Sequence, residues 1–350
     1  MSANAPHVVR PLSLRHLMRL RQGRSSSAVS ADDDALLKSL RGGAVAIGNF
    51  DGVHCGHAAL LNQLTESARK VGGPPMVLTF DPHPAAVLRP SAAPERLTWM
   101  QRRAEMLAQH DVDQTIVCET DTQLLEMSAA SFFEAIVVDL LDAKAVVEGP
   151  NFFFGKDREG NIDRLRELCE LHQRQLNVVT PVRQRRVSMM EGDREWMVSS
   201  TLIRAAIKEG RVKDAAEMLN GPYAIRGRIQ HGAARGRTIG FPTANLHHVD
   251  TLVPGHGVYA AMARIGANQD TPDAFAMDEG GDKKWRMAAV HIGANPTFGD
   301  AAAKIEAHLI GFSGDVYESW MELRLLVGDA IAIGLMGGLN GLNIAGQLRL

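Results

Sequence analysis

The strongest constraint on what this chain can fold into is a change of period at Asn220-Gly221-Pro222. Before that turn, short uniformly apolar runs alternate with amphipathic stretches. After it, short runs follow one another with no long helical pattern between them. The spacing predicts strands over 44–47, 76–80, 115–117, 145–147 and 178–182. Helices are expected over 58–70, 102–109, 131–141 and 163–173; in the first, Leu60, Leu61, Leu64 and Ala68 share one side. Strands and helices alternating at this pace imply βαβ units and a parallel sheet covered on both faces. Two short helices, 201–208 and 212–219, close this part. Beyond the turn, strands are expected over 223–230, 258–265, 287–292, 305–310 and 321–326. Short strands joined by Gly- and Pro-rich turns indicate an all-β barrel or sandwich.

The reading is therefore an α/β domain over 43–219 and an all-β domain over 220–326. A flexible leader over 1–42 precedes them and an atypical Gly-rich tail over 327–350 follows. A length of 350 residues suits two domains. In the leader, Arg10, Arg15, Arg19, Arg21 and Arg24 all come before the first acid, Asp32, and Ser25–Ser27 form a serine cluster. Such a start reads either as a floppy extension or as a transit peptide.

Composition narrows the function classes. With 45% hydrophobic and 22% charged residues the chain is an ordinary globular one. Its uncharged stretch 330–347 is broken by glycines and asparagines and makes a poor membrane span. A net charge of -2 lacks the basic excess of a nucleic-acid binder. Three cysteines, Cys55, Cys118 and Cys169, are too few and too scattered for a disulfide framework or a structural zinc site. The expected setting is cytoplasmic, with small-molecule partners, no nucleic acid and no membrane. Self-association is left open.

The first predicted strand runs directly into Gly48-Asn49-Phe50-Asp51-Gly52-Val53-His54-Cys55-Gly56-His57, and a helix follows. Open α/β sheets bind ligands beyond the carboxyl ends of their strands. Glycines let backbone N–H groups approach a phosphate there, and the helix start adds a positive dipole. Two histidines in the pattern His-x-x-His can donate hydrogen bonds to triphosphate oxygens, although a pair of surface histidines beside a turn would look the same. A second segment, Ser199-Ser200-Thr201-Leu202-Ile203-Arg204, sets hydroxyls at a helix start and an arginine one turn in. That is ordinary N-cap chemistry, and it also suits a triphosphate.

The β-rich half carries Gly232-Ala233-Ala234-Arg235-Gly236-Arg237-Thr238-Ile239-Gly240-Phe241-Pro242-Thr243-Ala244-Asn245. A glycine-bearing flap with cationic neighbours can cradle phosphates. In an extended stretch Thr243 and Asn245 point the same way, so a hydroxyl and an amide oxygen could share a Mg²⁺; a β-turn with ordinary Thr and Asn roles is the alternative. Alternation puts Glu306 and His308 on one face of the strand 305–310, opposite Ile305, Ala307 and Leu309. Turned into a barrel the carboxylate would need work or a partner; turned outward it would be solvated.

Taken together, Gly48–His57, Leu78-Thr79-Phe80-Asp81-Pro82-His83-Pro84, Gly149-Pro150-Asn151-Phe152-Phe153-Phe154-Gly155-Lys156 and Ser199–Arg204 resemble, in order, the adenylyltransferase module of the bacterial bifunctional riboflavin kinase/FAD synthetases. Gly232–Asn245, Pro254–Tyr259, Ile292–Gly299 and Glu306–His308 are similar to the riboflavin kinase module of the same family. The resemblance spans residues 44–326 and implies a Rossmann-like nucleotidyltransferase domain followed by a six-stranded Greek-key barrel. It implies that riboflavin and ATP give FMN, and that FMN and ATP give FAD and pyrophosphate, with Mg²⁺. It further implies His54, His57 and Glu306 as catalytic, Glu306 being the base for the ribityl 5′-hydroxyl. Gly48, Asn49, Phe50, Asp51, Gly52, Gly56, Ser199, Ser200, Thr201 and Arg204 would hold ATP for adenylylation. Asn151, Phe152 and Phe154 would meet the flavin. Gly232, Gly236, Arg237, Gly240, Pro242, Thr243 and Asn245 would hold ATP for the kinase step, Thr243 and Asn245 contacting Mg²⁺.

The pattern departs from the family at the end. The tail lacks the usual arginine, phenylalanine and C-terminal helix; its four glycines between Gly334 and Gly341 would weaken a helix by about 3–4 kcal/mol. Asp81 replaces a common glutamate, Gly311 a common aspartate, and Glu318 a usual glycine. These departures keep two further readings open: a monofunctional FAD synthetase whose barrel only binds flavin, and a non-catalytic flavin-sensing protein.

Overall fold

In the computed structural model, residues 11–23, 30–180, 184–185, 195–196, 198–230, 244–266, 285–293, 303–312, 314 and 316–328 are described. They fall into two units. One holds the described residues up to Pro94, from Met100 to Gln184, and Glu195 and Trp196; the other holds Glu95–Trp99, Arg185 and the described residues from Val198 onward.

The strands of the first unit are β1 (Leu12–Ser13), β2 (Ala44–Ile47), β3 (Pro75–Asp81), β4 (Gln114–Glu119), β5 (Ala145–Glu148) and β6 (Gln175–Val178). They form one sheet in the order β1-β4-β3-β2-β5-β6, with every neighbouring pair parallel. The helices are α1 (Leu14–Gly23), α2 (Ala31–Ser39), α3 (Cys55–Val71), α4 (Pro84–Leu88), α5 (Met100–Ala108), α6 (Thr122–Leu125), α7 (Ala129–Phe132) and α8 (Ile162–Leu171). The helix expected over 131–141 divides: after α7 the chain continues as a π-helical stretch, Phe133–Leu140.

Central β2 is buried along its whole length. A strand covered on both faces cannot alternate polar and apolar residues, which explains the unbroken Ala44-Val45-Ala46-Ile47. Successive side chains feed opposite cores. Val45, Ile47, Leu78, Ile116 and Val146 join Leu17 and Phe133 on one face. Ala44, Ala46, Val77, Ala145 and Val147 join Leu61 and Leu64 of α3 and Leu107 of α5 on the other.

Two expectations are corrected here. The segment read as a flexible leader supplies β1, α1 and α2, and Leu14, Leu17, Leu37 and Leu40 are buried in the core. Leu14 and Leu17 stand one helical turn apart, so α1 has an apolar stripe that the surrounding arginines obscure. The arginines find acids on neighbouring elements: Arg15 Nη2 lies 2.6 Å from Asp121 Oδ2. The strand expected over 178–182 lies earlier, at Gln175–Val178, paired Ala145↔Gln175 through Glu148↔Val178. As an edge strand it carries polar residues, which hide it from a search for apolar runs.

In the second unit, α9 (Ser200–Lys208) and α10 (Val212–Leu219) group with the strands that follow them, α10 packing on two of these. Gln184–Arg185 (β7) and Glu195–Trp196 (β8) make a separate two-stranded sheet. Then come β9 (Tyr223–Gln230), β10 (Ala244–His247), β11 (Gly257–Gly266), β12 (Arg286–Gly293), β13 (Lys304–Leu309) and β14 (Trp320–Gly328). They close a six-stranded antiparallel barrel in the order β10-β13-β12-β11-β14-β9, as the resemblance implied. Glu318, where the family usually has glycine, takes φ 63, in the left-handed region that glycine tolerates best. The tail beyond Gly328 lies outside the described residues.

Leu17 has no exposed surface. Leu17→Ala is expected to destabilise the first unit by about 2–5 kcal/mol, read from its urea transition. A loss below about 0.5 kcal/mol would show that α1 is peripheral to the core.

Candidate active sites

Strand order reverses at β2, between β3 on one side and β5 on the other. The β2–β5 ladder runs only through Ala44↔Ala145 and Val45↔Val146. Beyond it Ile47 N donates to the Glu148 carboxyl at 2.6 Å, while Gly48 N continues to Leu78 O of β3 at 2.9 Å. The crevice that the topology opens is therefore lined by the loop that follows β2.

That loop turns tightly. Phe50 (φ 44), Gly52 (φ 88) and Val53 (φ 39) all lie in the left-handed region. For a β-branched residue this is costly and persists only where the surroundings impose it. The turn sets His54 at the cap of α3 with extended backbone, and His57 N bonds His54 O at 2.7 Å. The two imidazoles stack at 3.8 Å with planes 16° apart, and Phe50 lies 5.1 Å from His57. Burial, followed by the charges of His54, Arg103 and His110, holds His57 well below the ordinary histidine value of 6.5. His57 is thus neutral at pH 7, a hydrogen-bond donor rather than a fixed cation. Among the described residues, nothing hydrogen bonds the enclosed His57 Nδ1 or Asn49 Oδ1. Buried polar atoms are normally paired, so these two are open for a ligand.

Asn151–Phe154 follows β5 at the same end of the sheet. Phe154 is a core residue and Phe152 stacks on it at 5.2 Å, while Phe153 is exposed with Arg158 over its ring at 4.3 Å. Ser199, Ser200, Thr201 and Arg204 belong to the second unit. Ser199 caps α9 by accepting from Leu202 N, and Arg204 Nε donates to Glu95 O at 2.6 Å.

On the barrel, Ile305, Ala307 and Leu309 are buried, so Glu306 and His308 face outward. Glu306 is paired across the sheet with Asn245 on one side and His291 on the other. Asn245 is buried. Lys304 Nζ sits 2.7 Å from Glu306 Oε1, and His291 Nδ1 3.8 Å from Oε2. Two of the expected kinase residues thus meet in one row. Gly232, Gly236, Arg237, Gly240, Pro242 and Thr243 lie outside the described residues.

Sequence reasoning missed three groups. Glu148, almost fully buried, ends an apolar strand. Arg103 shares the buried face of α5 with Ala104 and Leu107, and a charge on an apolar helix face is the signal that could have found it. Lys304 is two residues from Glu306, so period-2 alternation already set both on one face.

A family model described as FAD synthetase matches residues 37–191, and one described as riboflavin kinase matches residues 219–327. The bifunctional riboflavin kinase/FMN adenylyltransferase of Listeria monocytogenes is 35% identical over 80% of this chain and 82% of its own. Those of Pseudomonas fluorescens and Escherichia coli K12 are 34% and 32% identical, over 79% and 80% of this chain and 81% and 82% of theirs. A crystal structure described as a macrolide-efflux protein from Streptococcus pneumoniae superposes with a TM-score of 0.68 at 28% identity, covering 85% of this chain and 91% of that one. Among the described residues of this chain, no helix is long and apolar enough to cross a membrane.

Desolvation raises the Glu148 carboxyl well above its ordinary value of 4.5, against the pull of the Ile47 and Gly149 N–H groups. A folded pKa above the unfolded one means stability that is full below pH 4.5 and is lost as pH rises through the folded value. Glu148→Gln keeps an acceptor for Ile47 N and removes that titration. Its melting temperature is expected to gain on the parent's as pH is raised above 4.5; parallel curves would refute the assignment.

Proposed function

We infer that a chain belonging to the bifunctional riboflavin kinase/FMN adenylyltransferase family, as this one does, runs its two reactions on its two units. The enzyme phosphorylates riboflavin with ATP to FMN, then adenylylates FMN to FAD with release of pyrophosphate. The observation that carries the residue assignment is a conjunction in one chain. A stacked histidine pair, with His57 Nδ1 and the nearby Asn49 Oδ1 open, stands at the sheet's switch point, and Asn245 and Glu306 stand in register on a closed barrel.

In the kinase step, Glu306 takes the proton of the ribityl 5′-hydroxyl as that oxygen attacks the γ-phosphorus, and ADP leaves. Lys304 holds the carboxylate in place. In the adenylylation step, an FMN phosphate oxygen attacks the α-phosphorus of ATP, and no covalent enzyme intermediate is needed. His54 and His57 donate hydrogen bonds to the triphosphate as charge builds on it. Asn49 and the loop glycines bind ATP. Asn151 and Phe152, backed by Phe154, meet the flavin ring.

The family implies Mg²⁺, and the donor chemistry fits. The Asn245 amide oxygen is a hard ligand, and the resemblance adds the Thr243 hydroxyl as a second. Bound there, Mg²⁺ supplies charge neutralisation on the phosphates. A reducing, cytoplasmic setting is supported by Cys55, Cys118 and Cys169 standing outside any disulfide, the latter two buried.

The direct test is incubation with riboflavin, ATP and Mg²⁺, with the flavins separated over time; FMN should appear and then give way to FAD. His57→Ala is expected to slow FAD formation by about 10²–10³-fold and leave FMN formation intact. Glu306→Ala should do the reverse, slowing phosphorylation by about 10²–10⁴-fold while supplied FMN is still adenylylated. Equal loss of both activities in either folded variant would sink the two-site assignment.

A further inference from the structure

We infer that Arg103 is a positioning residue for adenylyl transfer, clamping the turn after β2 from behind so that its ATP-binding groups are held in place. The inference rests on reading that turn as the adenylylation site. Arg103 lies on α5, far along the chain from the turn, and is buried. Its Nη2 donates to Asp51 Oδ1 at 3.1 Å and its Nη1 to Thr79 Oγ1 at 3.0 Å. Thr79 Oγ1 in turn donates to the Asn49 carbonyl oxygen at 2.8 Å. One guanidinium therefore grips the loop at Asn49 and Asp51, on either side of Phe50.

The grip falls where the backbone most needs it. Phe50, Gly52 and Val53 occupy the left-handed region. For the two residues that are not glycine, such a conformation persists only when neighbouring structure over-determines it. Arg103 and Thr79 supply that constraint from two other elements, α5 and β3. Arginine suits the task because its planar fork reaches two acceptors at a fixed angle, which a lysine ammonium does not. The buried charge is compensated by Asp51, both side chains being nearly inaccessible, at 6% and 5% exposure. Arg103 acts through Asn49 and Asp51, so its loss should be felt by ATP and not by FMN.

The test is steady-state FMN adenylylation by the full chain, with ATP and FMN varied separately. Arg103→Gln is expected to raise KM for ATP and lower kcat, together costing about 10–100-fold in kcat/KM for ATP, with KM for FMN changed less than about twofold. Thr79→Val should move the ATP constants in the same direction, and the double variant should be no worse than Arg103→Gln alone, because both cut one clamp. Arg103→Lys should restore part of the loss. Wild-type ATP constants in Arg103→Gln, equal rises in both KM values, or multiplying losses in the double variant would overturn the inference. If Arg103→Gln does not fold, Thr79→Val and Arg103→Lys decide: an ATP-specific loss in both sustains it, and unchanged ATP constants in both overturn it. His57→Ala, assayed alongside, separates the two readings. Full adenylylation in that variant removes the site assignment itself; its loss beside a wild-type Arg103→Gln removes only this inference.

Discussion

Beyond Val45 the ladder between β2 and β5 ends, and a backbone N–H deep in the first unit must find an acceptor away from water. The Glu148 carboxyl provides it for Ile47. That substitution lets the two parallel strands part without an orphaned donor, and the crevice at the switch point exists because they part. Both loops read as ligand-binding, the one after β2 and the one after β5, leave the sheet at this same end. Burial favours the uncharged form of that carboxyl, which links the opening of the sheet to pH.

The loop after β2 illustrates how strain and chemistry share a place. Its left-handed residues turn the chain sharply enough to stack His54 on His57 at the start of α3. Its burial, then the charges of the stacked His54 and the nearby Arg103, make a protonated His57 unfavourable. The stacked imidazole pair thus stands near the buried Arg103. The barrel solves a different problem. On β13, Ile305, Ala307 and Leu309 fill the buried face, and on the other face cross-strand register aligns Asn245, Glu306 and His291. Lys304 joins them through simple alternation.

Much of this was legible in the residues. The period change at Asn220–Pro222, the buried run Ala44–Ile47 and the strand Tyr223–Gln230 follow from local patterning, which depends only on neighbours in the chain. The histidine pair was identifiable because a strand runs straight into it. The leader was misread because arginines mask the Leu14–Leu17 stripe, and β6 because an edge strand need not be apolar. Phe154 proved to be core, with Phe153 the exposed ring, since three consecutive aromatics in a loop carry no periodicity to sort them.

The sequence by itself determined the two-part architecture, the order of motifs and the residue types available for phosphate chemistry, because periodicity, turn residues and motif spacing are properties of short segments. Only the tertiary structure decided that Arg103 and Thr79 reach the turn after β2, that Glu148 closes the parted ladder, and that Glu306 faces outward beside Asn245. Each of these joins residues tens of positions apart, and such meetings are set by strand order, register and packing, which no local pattern encodes.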